Sequence, residues 1–245
     1  MRKTVSTVLA GAALIVAAST IISPAGAQTA QQWKCTGNPD IAWDQQIAGC
    51  TDTIQSGKYS GAGLAWAYGN RGRSYRVKKD YDRAIADFSE AIRLDPKIAK
   101  AYNERGGAYY GKKDYDRAIA DYSEAIRLNP KYAHAYSGRC WDRAIIGADL
   151  QGALADCNES LRLQPNDSNT LNSRGLVQFK LKSFDLAIAD YSAAIALNAK
   201  DADSLYGRGI ARLKKGDAAG GNADIAAAKA LKPDVAEVSA GYGLK

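Results

Sequence analysis

Histidine is almost absent from this sequence, since His134 is the only one in 245 residues. Its scarcity excludes sites that need two imidazoles, which include most zinc–histidine clusters. The sequence has four cysteines, and no two of them are spaced as Cys-x-x-Cys. Zinc-ribbon and thioredoxin-type redox motifs are therefore absent as well. We expect no metal, no cofactor and no catalytic residue, because no convergent set of acid, base and nucleophile emerges.

A strong excess of one charge is also lacking. The chain carries 33 Lys+Arg against 26 Asp+Glu, a formal net charge of +7. Nucleic-acid-binding proteins usually concentrate more positive charge than this on one face, so we expect no nucleic-acid partner. The composition is otherwise that of a globular protein, with 46% hydrophobic and 24% charged residues, which excludes wholesale disorder.

Long apolar runs are confined to the N-terminus, which has the features of an export signal. Arg2 and Lys3 form a basic start, residues 8–22 are uncharged and largely apolar, and residues 25–27 (Ala-Gly-Ala) are small enough for a cleavage site. A retained anchor is the alternative, but this run is short for a hydrocarbon core of about 30 Å. We predict a signal peptide at 1–27 and a periplasmic or secreted mature chain without a transmembrane segment.

The rest of the chain repeats itself with a period of 34 residues. Residues 80–96 read DYDRAIADFSEAIRLDP, and residues 114–130 read DYDRAIADYSEAIRLNP. Apolar residues recur at i, i+1, i+4, i+7 and i+8, which places them on one face of a helix. An aspartate stands where its side chain can cap this helix in four of the copies: Asp80, Asp114, Asp149 and Asp217.

This period, with small residues and aromatics at fixed positions, resembles the tetratricopeptide repeat, here in an exported bacterial protein. The resemblance implies an all-α fold, an α-α superhelix of about five helix-turn-helix repeats whose first helices line a concave side. Counted from Ala65 as position 1, the predicted repeats are 65–98, 99–132, 133–167, 168–201 and 202–235. The third repeat has one extra residue in the loop between its helices, which is left out of the position numbers. Around them we predict an N-terminal extension with a degenerate half-repeat at 28–64 and a C-terminal cap with a loose tail at 236–245.

Arginine occupies position 7 and aspartate position 23 in all five predicted repeats. The pairs are Arg71 and Asp87, Arg105 and Asp121, Arg139 and Asp156, Arg174 and Asp190, and Arg208 and Asp224. Two interpretations are open: a structural ladder of ion pairs along the solenoid, or a row of arginines that grips an anionic ligand. We favour the ladder, because each arginine comes with its own carboxylate.

An even number of cysteines in an exported chain indicates disulfides, and four cysteines allow three connectivities. The packing implied by the resemblance brings positions 8 and 24 of one repeat together, which favours a Cys140–Cys157 bridge in the third repeat. Cys35–Cys50 would then tie the N-terminal extension to its helix. Two free core thiols in the third repeat are the alternative.

Tetratricopeptide repeats contact their ligands mostly through positions 2, 5, 9 and 12 of the first helices. Carried over to this sequence, the resemblance implies eight groove candidates: Arg73, Arg76, Asn103, Tyr110, Trp141, Asn172, Phe179 and Tyr206. Tryptophan, tyrosine and arginine are the residues that most often anchor a protein partner. For Trp141 and Phe179 the alternative is burial against the next repeat.

These features together predict a scaffold or adaptor without enzymatic activity. We expect its partner to be a peptide or protein segment that lies in the concave groove. The alternative is a self-assembling structural protein of the cell envelope, in which the groove or an end repeat engages another copy of the chain.

Overall fold

The computed structural model describes residues 34–38 and 40–244. Within these residues the chain forms twelve α-helices and no strand, so the expected all-α fold is confirmed. The signal peptide expected at 1–27 lies outside the described residues, as does Lys245. The helices are α1 (Trp43–Gln55), α2 (Ala62–Val77), α3 (Tyr81–Leu94), α4 (Ala99–Gly111), α5 (Tyr115–Leu128), α6 (Ala133–Ile146), α7 (Leu150–Leu163), α8 (Ser168–Lys180), α9 (Phe184–Leu197), α10 (Ala202–Lys214), α11 (Ala218–Leu231) and α12 (Val235–Gly241).

Helices α2 to α11 form five stacked hairpins. In each hairpin the first helix packs against the second, and each of the first four second helices also packs against the first helix of the next hairpin. Successive first helices contact one another, from α2 and α4 to α8 and α10, whereas no contact joins successive second helices in the described part of the chain. The stack therefore curves toward its first helices, which line the concave side. None of the helices in residues 34–244 is both long and apolar enough to cross a membrane.

Aspartate caps determine where most of the second helices begin. The side chains of Asp80, Asp114, Asp149 and Asp217 accept a hydrogen bond from the backbone N–H three residues later, at 3.3, 3.3, 3.0 and 2.9 Å. Each such cap contributes about 1 kcal/mol to helix stability, because it satisfies a donor that the helix itself cannot. Helix α9 is the exception, since the side chain of Ser183 makes no capping hydrogen bond.

Two glycines allow the close approach of α10 and α11. A Cβ atom on Gly209 would lie 2.9 Å from the carbonyl oxygen of Gly221, and a Cβ atom on Gly221 would lie 2.9 Å from the carbonyl oxygen of Gly209. A carbonyl group of a helix cannot move aside as the end of a flexible side chain can. Any larger residue at either position therefore has to push the two helices apart.

We expect Gly209→Ala to lower the free energy of unfolding by about 2 kcal/mol, because the added methyl group overpacks this contact. The matched control is Gly69→Ala in the middle of α2, where a Cβ atom would meet no atom of the described residues within 4 Å. The control should raise the free energy of unfolding by up to about 1 kcal/mol, because alanine is the better helix former. Urea titrations followed by far-UV circular dichroism measure both changes, and effects of the same sign would contradict the close approach.

The C-terminal end differs from the loose tail that was expected. Helix α12 packs against α10, and the chain then turns back so that Leu244 is only 5% exposed and belongs to the core of the last hairpins. Tyr242 packs edge-on against Trp141 of α6, with ring centroids 5.2 Å apart. Residues 242–244, called the tail segment below, are thus held by apolar and aromatic contacts.

Candidate functional site: the concave groove

The structure brings all five predicted Arg–Asp pairs together between the two helices of each hairpin. In every pair the guanidinium donates two hydrogen bonds to the carboxylate, with N–O distances of 2.6–2.9 Å. The five aspartates are 4–7% exposed. This two-point geometry is the strongest form of an arginine–carboxylate contact.

Each of these arginines also donates a hydrogen bond to the preceding helix, a contact that sequence reasoning missed. The Nη1 atom of the arginine donates to a side-chain oxygen of that helix, with N–O distances of 2.9–3.3 Å. The acceptors are Thr51, Ser89, Ser123, Asn158 and Ser192. Three nitrogens of each guanidinium therefore have protein partners, which favours the structural role of the arginines over a role in gripping an anion.

Two disulfides join the four cysteines. Cys140–Cys157 connects α6 to α7 within the third hairpin, and Cys35–Cys50 connects the residues before α1 to that helix. All four side chains are fully buried. Both bridges therefore strengthen the packing of helices, and they leave no free thiol among the described residues.

Four of the eight groove candidates line one pocket on the concave side. They are Arg76 of α2, Tyr110 of α4, Trp141 of α6 and Asn172 of α8. The pocket has a volume of about 410 Å³, within the range of ligand-binding sites. It is called the groove pocket below. In residues 34–38 and 40–244, no three His, Cys, Asp or Glu side chains come close enough to hold a metal ion.

A second pocket lies nearer the N-terminus of the stack and contains a fifth candidate. Arg73 lines it together with Trp66, Asn70 and Glu104, and its volume is about 210 Å³. Trp66 is 38% exposed, so an aromatic surface is open to solvent here. The concave side thus offers two separate depressions along one groove.

The remaining three candidates do not line these two pockets, and two of them are corrected. Phe179 and Tyr206 are each 8% exposed and belong to the hydrophobic core. Phe179 packs against Phe184 of α9 with ring centroids 5.5 Å apart, and Tyr206 lies on α10, against which α12 packs. Asn103 has a buried side-chain oxygen that lacks a hydrogen-bond partner among the described residues.

The tail segment lies beside the groove pocket. Trp141, Asn172, Tyr242 and Leu244 together line a small adjoining cavity. Burial, with a smaller contribution from nearby Tyr110, raises the pKa of Tyr242 to about 12. Trp141 therefore contacts the chain's own tail segment and also lines the groove pocket.

The groove pocket also contains a carboxylate that sequence reasoning missed. Asp142 on α6 is 1% exposed, and neither of its carboxylate oxygens has a hydrogen-bond partner among the described residues. Burial raises the pKa of Asp142 to about 8, so this carboxyl group is largely protonated at neutral pH. Asp142 stands at position 10, where the other repeats carry buried uncharged residues: Ser74, Ala108, Val177 and Ala211. A lone aspartate at a buried repeat position was the signal that could have identified it.

Comparison with known proteins supports the family that the repeat pattern resembles. A family model described as "Tetratricopeptide repeat" matches residues 70–133, and one described as "TPR repeat" matches residues 179–216. A search of curated proteins found no significant match. The first match spans most of the first two hairpins, and the second spans α9 and α10.

Solved structures with a similar fold include YrrB, described as a TPR protein with an unusual peptide-binding site. It shares 20% identity at a TM-score of 0.60, over 79% of this chain and 98% of YrrB. A tetratricopeptide repeat protein from Parabacteroides merdae shares 14% identity at a TM-score of 0.65, over 81% of each chain. MamA from Desulfovibrio magneticus shares 17% identity at a TM-score of 0.61, over 69% of this chain and 96% of MamA.

At these identities the structural similarity establishes the fold. Tetratricopeptide repeat proteins are generally scaffolds for protein–protein interaction and are not enzymes. The 34-residue period, the five stacked hairpins and the two family matches together support a tetratricopeptide repeat protein.

Proposed function

We propose that this protein is an exported scaffold that binds a peptide or protein segment in its concave groove. The observation that carries the proposal is the convergence of Arg76, Tyr110, Trp141 and Asn172, from four successive first helices, on one pocket. Aromatic and arginine side chains are the usual anchors of protein partners. The rigid stack presents them without a large rearrangement, which lowers the entropic cost of binding. The peptide-binding site named for YrrB supports the proposal by analogy of fold.

Export to the periplasm or out of the cell is the second part of the proposal. The two disulfides fit an oxidising compartment. The N-terminal sequence at 1–27 supports the same location, because it has the basic start, apolar run and small residues of a signal peptide.

The division of the chain into repeats belongs to the proposal as well. We propose five repeats over 65–235, preceded by an extension at 28–64 and followed by a cap and tail at 236–245. The helix starts support this division, because α4, α6, α8 and α10 begin at residues 99, 133, 168 and 202.

A displayed library of random peptides, panned on the purified protein, tests binding in the groove. Trp141→Ala and Tyr110→Ala should each weaken binding of the selected peptides by about tenfold or more, because aromatic anchors contribute most of the binding energy. The matched control is Leu186→Ala on α9, a second helix, where the side chain is 56% exposed. Fluorescence anisotropy measures the dissociation constants, and far-UV circular dichroism verifies that each variant folds.

The Leu186→Ala variant should bind the selected peptides as wild type does. Failure to select any peptide, or equal affinity for wild type and both groove variants, would overturn the proposal. Size-exclusion chromatography with light scattering tests the alternative of self-assembly. A molecular mass that rises with protein concentration would favour that alternative, whereas the scaffold proposal predicts a constant mass.

A further inference from the structure

Packing alone does not account for Asp142. A buried ionised carboxylate without a partner is strongly unfavourable, and a protonated one still leaves a donor and an acceptor unsatisfied. The other four repeats avoid this cost with serine, alanine or valine at the same position. Asp142 lines the groove pocket while both of its oxygens lack a hydrogen-bond partner among the described residues. A ligand that supplies donors to this carboxylate would give the residue a role.

Several aromatic residues line the groove pocket together with Asp142. Tyr110, Tyr122 and Trp141 line the same pocket, and Tyr115 lies 6.1 Å from Tyr110 between ring centroids. Burial raises the pKa of Tyr115 and of Tyr122, and the nearby Asp142 carboxylate adds to both shifts, which places both phenols close to it. The faces of aromatic rings attract cations. A carboxylate among such rings is therefore a site suited to a positively charged group.

Acidic side chains outnumber basic ones around the groove pocket. Among the described residues, Asp142, Asp201 and Asp203 line it, against Arg76 as the one basic lining residue. The other charged lining residues already have partners in the structure. These contacts are Arg76 with Glu104 at 3.0 Å, Asp203 with Lys232 at 3.1 Å, and Asp201 with the backbone N–H of Ser204 at 3.0 Å. Asp142 is the lining carboxylate left to interact with a ligand.

We propose that the groove pocket binds a lysine or arginine side chain of the docked segment, with Asp142 as its counter-charge and Tyr110 and Trp141 as its aromatic walls. The inference rests on the proposed function, because the cationic side chain arrives on a segment that lies in the groove. Its N–H groups donate the hydrogen bonds that Asp142 lacks. Asp142 thereby selects basic over neutral side chains at this point of the groove.

Binding of the cation is coupled to loss of a proton from Asp142. Because burial raises the pKa of this carboxyl group to about 8, the free protein holds the proton at neutral pH, whereas the cation binds the ionised form. The affinity for a cationic ligand should therefore rise with pH until about pH 8. The expected increase between pH 6 and pH 7 is about tenfold, since the ionised fraction rises by that factor.

Other groups near Asp142 do not produce the same pH dependence. Burial raises the pKa of Tyr115 and of Tyr122, so both phenols stay protonated between pH 5 and pH 8, and Asp201 and Asp203 already have partners. The groups around Asp142 are Arg76 from α2, Tyr110 from α4, Tyr115 and Tyr122 from α5, Asp201 and Asp203 at the start of α10, and the uncharged Asn169, Asn172 and Ser173 from α8. Tyr242 of the tail segment lines the adjoining cavity. Helix α7 contributes no residue to the pocket lining.

The test uses two small probes, Nα-acetyl-lysine methylamide and the matching norleucine compound, which lacks the ammonium group. Titrations at pH 6, 7 and 8 follow the indole N–H resonance of Trp141 in the purified protein. We expect the lysine probe to bind at least about tenfold more tightly than the norleucine probe at pH 8. Its affinity should rise with pH, and calorimetry in buffers of different ionisation enthalpy should record the released proton.

Asp142→Asn is the decisive variant, because it keeps the shape of the side chain and removes its charge. The variant should lose both the preference for lysine and the pH dependence. Asp203→Asn is the matched control, since Asp203 lines the same pocket but is paired with Lys232; it should keep the pH dependence. Circular dichroism verifies that both variants fold.

Three results would overturn the inference. They are equal binding of the two probes, no saturable shift of the Trp141 resonance at millimolar lysine probe, and a pH dependence that survives Asp142→Asn. Each is distinguishable from failure of the proposed function. Peptides selected by panning that require Trp141 but are indifferent to Asp142→Asn would leave groove binding intact and remove only the preference for basic side chains.

Discussion

Asp121→Leu is expected to lower the free energy of unfolding by about 4 kcal/mol, because it leaves a buried charge without its partner. Asp121 is 6% exposed and accepts two hydrogen bonds of 2.8 Å from Arg105. The Arg105 side chain is only 19% exposed, so water cannot replace the lost carboxylate fully. Urea denaturation followed by far-UV circular dichroism measures the loss of stability. Because each hairpin contacts only its neighbours, we expect the second hairpin to lose the most stability.

The control for this substitution removes both charges. Arg105→Met combined with Asp121→Leu should restore most of the lost stability, because well-packed apolar residues often replace a buried ion pair at little cost. We expect the double variant to lie within about 1 kcal/mol of wild type. A double variant as unstable as Asp121→Leu would contradict the interpretation of the Arg–Asp pairs as a structural ladder whose members depend on each other.

Replacing both Cys140 and Cys157 with alanine is expected to cost about 3 kcal/mol. The bridge spans a sequence separation of 17 residues, and its loss frees a loop of that size in the unfolded chain. Because α6 and α7 lie in the middle of the stack, the loss should weaken the hairpins on both sides as well. Thermal and urea unfolding of the variant and of wild type measure the difference.

The second bridge supplies the control for the first. Cys35 and Cys50 lie before α2, so replacing both with alanine should loosen the residues around α1 while the five hairpins keep their stability. Amide hydrogen exchange separates the two outcomes region by region. Unchanged exchange in α6 and α7 of the Cys140→Ala/Cys157→Ala variant would contradict a stabilising role of the central bridge.

The sequence predicted the hairpin stack well, because its period is a local property. Residues 34 positions apart have the same surroundings in a regular stack, so the recurrence of Arg105 and Asp121 already indicated which two helix faces meet. The same period also held a signal for the hydrogen bond from each arginine to the preceding helix. Ser89 and Ser123 recur in phase with the arginines and accept their third hydrogen bond, but a polar residue on a helix is also common at solvent-exposed positions.

Features that break the period were harder to predict. Asp142 departs from the pattern at a single position, and its burial depends on residues from several hairpins. The tail segment lies outside the repeats altogether, so no pattern indicated that Tyr242 would pack against Trp141. Its packing, like that of α12 on α10, depends on contacts between distant parts of the chain, which local sequence does not reveal.

Lys180 shows the same limitation at the C-terminal end of α8. A lysine at a helix end is ordinarily solvated, yet its Nζ donates to the carbonyl oxygens of Ala144 and Ile145 at 2.6 and 3.1 Å. It thereby satisfies the end of α6 from the neighbouring hairpin, and burial lowers the pKa of Lys180. Its partners lie 35 and 36 residues away in sequence, beyond what helix-ending patterns describe.

Amide hydrogen exchange of the protein with and without a peptide selected by panning tests the central claim most directly. If the concave side is the binding surface, the peptide should slow exchange in the first helices α4, α6 and α8 and leave the second helices α5, α7 and α9 unchanged. Protection confined to the second helices would place the partner on the opposite side of the stack and contradict this account.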